Sequence, residues 1–135
     1  MQVVSGSIGK EKIHFEAPPS ERIPAEMKAF IEWFNQTSPE GKSPIKRGPA
    51  RSAMVHLYFE TIHPFEEGNG RIGRTLSEMV LSQEMERPIL LSLSPTVEAN
   101  KKSYYEALME GQRSNEISSW IYYFIKTVLD AQVEA

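Results

Sequence analysis

His63, Glu67, Arg71 and Arg74, interleaved with Gly68, Asn69, Gly70 and Gly73, fall within the twelve residues His63–Arg74. An imidazole with an ordinary pKa near 6.5 can take a proton from a hydroxyl at neutral pH. Glycines on either side of Asn69 allow positive φ and close backbone approach, so successive N–H groups can converge on an anion. Arg71 and Arg74 stand three apart at a helix start, where two guanidinium groups gather favourably only around a shared anion such as a phosphate. A helix beginning there adds the positive end of its dipole. Glu67 supplies a hard oxygen of the kind Mg²⁺ takes alongside phosphate oxygens. A base, a metal ligand, an anion cradle and paired phosphate clamps point to chemistry on a nucleotide.

The elements that must position this run follow from periodicity. Val3-Val4 and Ile13-His14-Phe15 flank a Ser/Gly/Lys stretch, which predicts a β-hairpin over 2–17, halted by Pro18-Pro19. From Pro24, Met27, Phe30, Ile31 and Phe34 recur at helical spacing, and 36–49 reads as a loop. A second helix over 50–62 carries Val55, Tyr58, Phe59 and Ile62, and Pro64 ends it, leaving His63 in a turn free to face a cleft. The period resumes from Arg71 with Ile72, Leu76, Met79 and Val80 until Arg87-Pro88. Ser94-Pro95 opens a helix with Val97, Tyr104, Tyr105 and Leu108. The last helix uses Ile117, Trp120, Ile121, Phe124 and Val128. The expectation is an all-α bundle of about five helices or more, in one domain over 1–135, with a small hairpin at its start.

Bulk properties narrow the class. With 135 residues, 40% hydrophobic and 24% charged, the chain is an ordinary soluble globular one. Its net charge of -3 argues against nucleic acid as a direct ligand. No cysteine is present, which removes disulfides and thiolate zinc sites. No apolar run approaches the ~20 residues of a membrane helix and no secretory pattern opens the chain, so the reading is cytoplasmic.

His63–Arg74 resembles the signature of Fic-domain proteins, His-Pro-Phe-x-Asp/Glu-Gly-Asn-Gly-Arg-x-x-Arg, with every defined position filled. Further stretches are similar to the same family. Ile13-His14-Phe15-Glu16-Ala-Pro-Pro looks like its flap, Met27, Glu32, Trp33 and Asn35 like the helix after it, and Tyr104-Tyr105-Glu-Ala-Leu like the segment bordering adenine. The resemblance implies an all-α Fic fold and a nucleotidyltransferase that moves AMP from ATP to a Tyr, Thr or Ser hydroxyl of a target protein, the chain itself included. It implies His63 as the base and Glu67 as the Mg²⁺ ligand. The run Gly68, Asn69, Gly70, Arg71, Ile72, Gly73 and Arg74 would bind ATP phosphates. Tyr104, Tyr105 and Gln112 would line the adenine pocket, although Gln112 stands where relatives often have Asn. Ile13, His14, Phe15 and Glu16 would hold a target segment by strand addition.

Gly70 stands where relatives that act as kinases carry Lys, which points away from phosphorylation. The family's restraining motif, Ser/Thr-x-x-x-Glu-Gly/Asn, is not found; Ser82 and Glu86 have the spacing, but Arg87 follows. The chain therefore reads as a catalytic core separated from its restraint, with inhibition by a separate chain as the alternative. Other functions compatible with the residues are a nucleotide- or partner-binding module without transfer, and removal of AMP from modified proteins. A metal-dependent hydrolase built on His56, Glu60 and His63 is a third class, set against packing of His56 in the core.

Overall fold

The computed structural model describes residues 2–5, 12–16, 18–85 and 91–134, the first two stretches as backbone. Among them, β1 (Gln2–Ser5) pairs antiparallel with β2 (Lys12–Glu16), with an irregularity between Val3 and Val4. A 3-10 turn at Ser20–Arg22 leads into α1 (Ile23–Thr37), followed by α2 (Gly48–Ile62) and α3 (Asn69–Met85). Then come α4 (Ser94–Ala99), α5 (Lys101–Arg113) and α6 (Ser118–Glu134). Pro24, Pro49 and Pro95 each sit in a first helical turn, where a missing N–H leaves nothing unpaired.

α2 is the axis of the bundle, packed against α1, α3, α5 and α6. It has no polar face because it has almost no solvent face: Ser52, Ala53, Val55, His56, Leu57, Phe59 and Glu60 are all buried. Phe30, Val55, Phe59, Ile62 and Val80 close one core between α1, α2 and α3. Leu57, Leu93, Tyr104, Leu108, Trp120 and Phe124 close another between α2, α5 and α6. Arg51 ties three helices together from within: Nε donates to Thr37 Oγ1 (3.0 Å), Nη1 to Gln83 Oε1 (2.8 Å) and Nη2 to the Phe34 carbonyl (2.8 Å). Its guanidinium carbon lies 4.6 Å from the Phe34 ring centroid, so the buried charge is solvated by dipoles and a π face.

Several expectations change. The loop expected from 36 starts later, because α1 continues to Thr37, whose hydroxyl donates to the Trp33 carbonyl (2.9 Å). The helix expected from Ser94 is two helices, broken at Asn100 (φ -126°, ψ 36°). Ile31, Ile72 and Met79, which share the helical spacing of the apolar positions, are exposed. Each lies about 100° around its helix from a residue that is buried, Phe30, Gly73 or Val80, and only that narrow face meets α2. Residues 86–90, including Arg87-Pro88 and Glu86, lie outside the described residues, as do 6–11 and 17 of the expected hairpin.

Candidate active site

α2 ends at His63, which takes the left-handed conformation (φ 51°, ψ 59°) while its N–H still bonds the Phe59 carbonyl at 3.0 Å. That geometry normally belongs to Gly or Asn at a helix end and costs a β-carbon about 1 kcal/mol. It turns the chain at once into Pro64, which cannot continue the helix. The loop that follows is held shut by Asn69. Its Oδ1 accepts the Phe65 N–H (3.0 Å) and its Nδ2 donates to the Phe65 carbonyl (2.6 Å). Gly68, at φ 83°, gives the chain its turn into α3, and its carbonyl accepts the Ile72 N–H at 3.0 Å. The first amides of α3 thus have no helical acceptor and face outward as anion donors.

Asn69→Ala should cost roughly 2 kcal/mol, since two hydrogen bonds to one peptide group vanish together. Urea unfolding of the variant beside the parent checks this, and an unchanged midpoint would deny Asn69 the loop-closing role.

His63, Glu66, Gly68, Asn69, Gly70 and Arg74 line one side of a cavity of about 210 Å³. The opposite wall comes from α5, where Tyr105, Leu108, Met109 and Gln112 follow at i, i+3, i+4 and i+7 on one face. Tyr104 and Glu60 form part of its floor. β2 lies against α5, the helix that supplies this wall. His63 Nδ1 is buried without a hydrogen-bond partner among the described residues, so Nε2 is the ring nitrogen that the cavity can reach. Burial pulls the His63 pKa below its ordinary value, keeping the ring neutral and basic at pH 7.

The floor is a buried polar cluster. His56 is fully buried and stacks on Trp120 (5.7 Å between centroids, 17°). Its Nε2 meets the Tyr104 hydroxyl at 2.6 Å and its Nδ1 the Ser77 hydroxyl at 3.3 Å. Burial lowers its pKa to about 4, so it stays neutral. With both nitrogens occupied, His56 is a packing and bridging residue, and no group of three metal-ligating side chains forms among the described residues. The hydrolase arrangement of His56, Glu60 and His63 therefore has no support in the geometry.

The residues expected from sequence divide. His63, Gly68, Asn69, Gly70, Arg74, Tyr104, Tyr105 and Gln112 are brought to one cavity. Arg71, Ile72 and Glu67 are exposed and do not line it, and Gly73 is buried against α2 rather than offered to a ligand. The cause is helical phase: with Gly73 turned into α2, Arg71 two residues earlier is turned toward solvent. Arg74 is half-buried, with Nε donating to Ser94 Oγ at 2.9 Å. Of the two adjacent carboxylates it is Glu66, rather than Glu67, that lines the cavity. Glu60, Leu108 and Met109 were not assigned to the pocket by sequence. Glu60 stands three residues before His63 on the same helix, and that spacing is the signal that could have placed it there.

The model of the Fic/DOC family matches residues 2–81, more than half of the sequence and all of the His63–Arg74 loop. The chain belongs to the Fic/DOC family. A probable protein adenylyltransferase of Aquifex aeolicus is 29% identical over 98 residues, covering 73% of this chain and 27% of its own. The protein adenylyltransferase Fic of Nematostella vectensis is also 29% identical over 98 residues, covering 73% and 21%. The chain thus spans about a quarter of the length of these curated relatives. The crystal structure of a Fic family protein from Desulfovibrio desulfuricans superposes with a TM-score of 0.75 at 24% identity, over 92% of this chain and 35% of that one. This likeness shows that the helical bundle is the Fic fold. Among the described residues, no helix of this Fic domain is long and apolar enough to cross a membrane.

Proposed function

We propose that this Fic domain transfers AMP from ATP to a Tyr, Thr or Ser hydroxyl of a target protein and releases pyrophosphate. The observation that carries the reading is the single cavity shared by a neutral imidazole, the amide-bearing start of α3 and a partly buried guanidinium. In this reading His63 Nε2 takes the proton of the target hydroxyl as its oxygen bonds to the α-phosphorus. The bond from that phosphorus to the bridging oxygen breaks, and pyrophosphate leaves with the electron pair. The amides of Gly68 to Gly70 and the Arg74 guanidinium hold the phosphate charge, and fixed donors of this kind need no reorganisation when the charge shifts. Arg71 joins them by swinging in from solvent when a triphosphate arrives.

The residues present fit a magnesium ion. Glu66, which lines the cavity, and the adjacent Glu67 offer hard carboxylate oxygens, and Mg²⁺ would take phosphate oxygens and water alongside them. Glu67, assisted by Glu66, would hold it, and the bound ion would neutralise charge on the triphosphate. Tyr105, Leu108, Met109 and Gln112 supply an apolar wall with a polar end for the adenine. The strand of Ile13, His14, Phe15 and Glu16 would serve as the flap, adding a target segment by backbone hydrogen bonds.

Intact-mass spectrometry after incubation with ATP and Mg²⁺ tests this. The expected result is a gain of one AMP mass on the chain or on an added hydroxyl-bearing protein. Nucleotide bound without any covalent product would make the domain a binding module instead.

A further inference from the structure

Glu60 is a carboxyl group that the proposed chemistry does not use, placed where a charge would matter most. It is only 7% exposed, its Oε1 is buried without a hydrogen-bond partner among the described residues, and it forms part of the cavity floor together with Arg74. The fit is tight: a β-carbon on Gly73 would come within 2.5 Å of that oxygen, so α3 is free of a side chain at the point where the carboxyl lies. Arg74, the next residue, spends Nε on Ser94, which leaves its remaining N–H groups for an anion.

The other groups around the carboxyl do not neutralise it. His56, on the same helix, is neutral and committed to Tyr104 and Ser77. Tyr104, from α5, is buried and its pKa lies well above 10. His63 at the rim is neutral near pH 7, and Glu66 adds charge of the wrong sign. Among the described residues, the cation from α3 that acts on it is Arg74, and it offsets burial only in part: the Glu60 pKa rises to about 7.

Building on the AMP-transfer reading, we propose that Glu60 is a positioning residue acting through Arg74: its neutral form leaves that guanidinium to the terminal phosphates, its ionised form draws the guanidinium back and repels them. A triphosphate entering the cavity brings negative charge beside the carboxyl, and a carboxyl so placed takes up a proton from solvent. Binding of ATP above neutral pH is therefore coupled to uptake of one proton at Glu60. AMP, without the β- and γ-phosphates, is not.

Calorimetric titration of the full chain with ATP and with AMP, at pH 6 and pH 8 in two buffers of different ionisation enthalpy, reads this directly. For ATP, the parent should bind roughly tenfold more weakly at pH 8 relative to Glu60→Gln, while the two bind alike at pH 6. Proton uptake at pH 8 should accompany ATP but not AMP, and should vanish in Glu60→Gln. The ionisation of ATP itself is common to both proteins and cancels in the comparison. Should Glu60→Gln fail to fold, equal proton uptake with ATP and AMP in the parent overturns the proposal. So does the same pH profile in both proteins, or a variant weaker than the parent at both pH values. If neither protein binds ATP at either pH, it is the transfer reading that falls.

Discussion

His63→Ala should lower the rate of adenylyl transfer by roughly 10²- to 10⁴-fold, the range a positioned general base contributes. ATP affinity should stay within a few-fold of the parent, because the amides at the start of α3 and Arg74 keep their places. Single-turnover transfer of labelled AMP, paired with nucleotide titration, separates the two quantities. The pH profile carries the same signature. Burial lowers the His63 pKa, so the base form persists below pH 6.5 and transfer declines only at more acidic pH. An acid limb at or above 6.5, or a variant that transfers AMP at the parental rate, would remove His63 from the mechanism. Alanine at 63 also leaves the left-handed turn strained by about as much as histidine does, so folding is not the confounding variable.

Trp120→Ala should destabilise the chain by about 3–5 kcal/mol, more than any cap or loop change. Trp120 is 1% exposed in the core between α2, α5 and α6, and its Nε1 donates to the Ala53 carbonyl at 2.7 Å. Truncation opens a cavity beneath His56 and Tyr104, whose rings lie 5.7 and 6.2 Å from the indole, and leaves a buried carbonyl unpaired. Trp120→Phe keeps most of the volume and loses the hydrogen bond, so it should cost well under half as much. Denaturant unfolding of the three proteins gives the ranking. Because Tyr104 and its neighbours carry the cavity wall, nucleotide binding should weaken in Trp120→Ala before the global transition is reached. Equal midpoints for Trp120→Ala and the parent would show that the core beneath the site is not what holds it.

The His63–Arg74 loop was legible in the sequence because its constraints are local. Pro64 forces an end to α2, Gly68 supplies the one positive φ a glycine serves there, and Asn69 closes a ring four residues back onto Phe65. Helix periods likewise followed from residues at i, i+3 and i+4. α2 was the exception. Its apolar positions gave a helix, but its burial on nearly every side gave no sign of which face would meet which partner.

Taken alone, the sequence determined the family, the helical architecture and the place of His63 in the turn after α2, since each depends on residues a few positions apart. Tertiary structure decided which charges share the cavity. The phase of α3, set where Gly73 lets it press against Glu60, turns Arg74 inward and Arg71 outward. Packing of α5 and α6 around His56 then fixes the far wall, bringing Glu60 and Tyr104, 44 residues apart in the chain, onto one floor. Close packing between distant segments admits few arrangements, and spacing along the chain does not encode them.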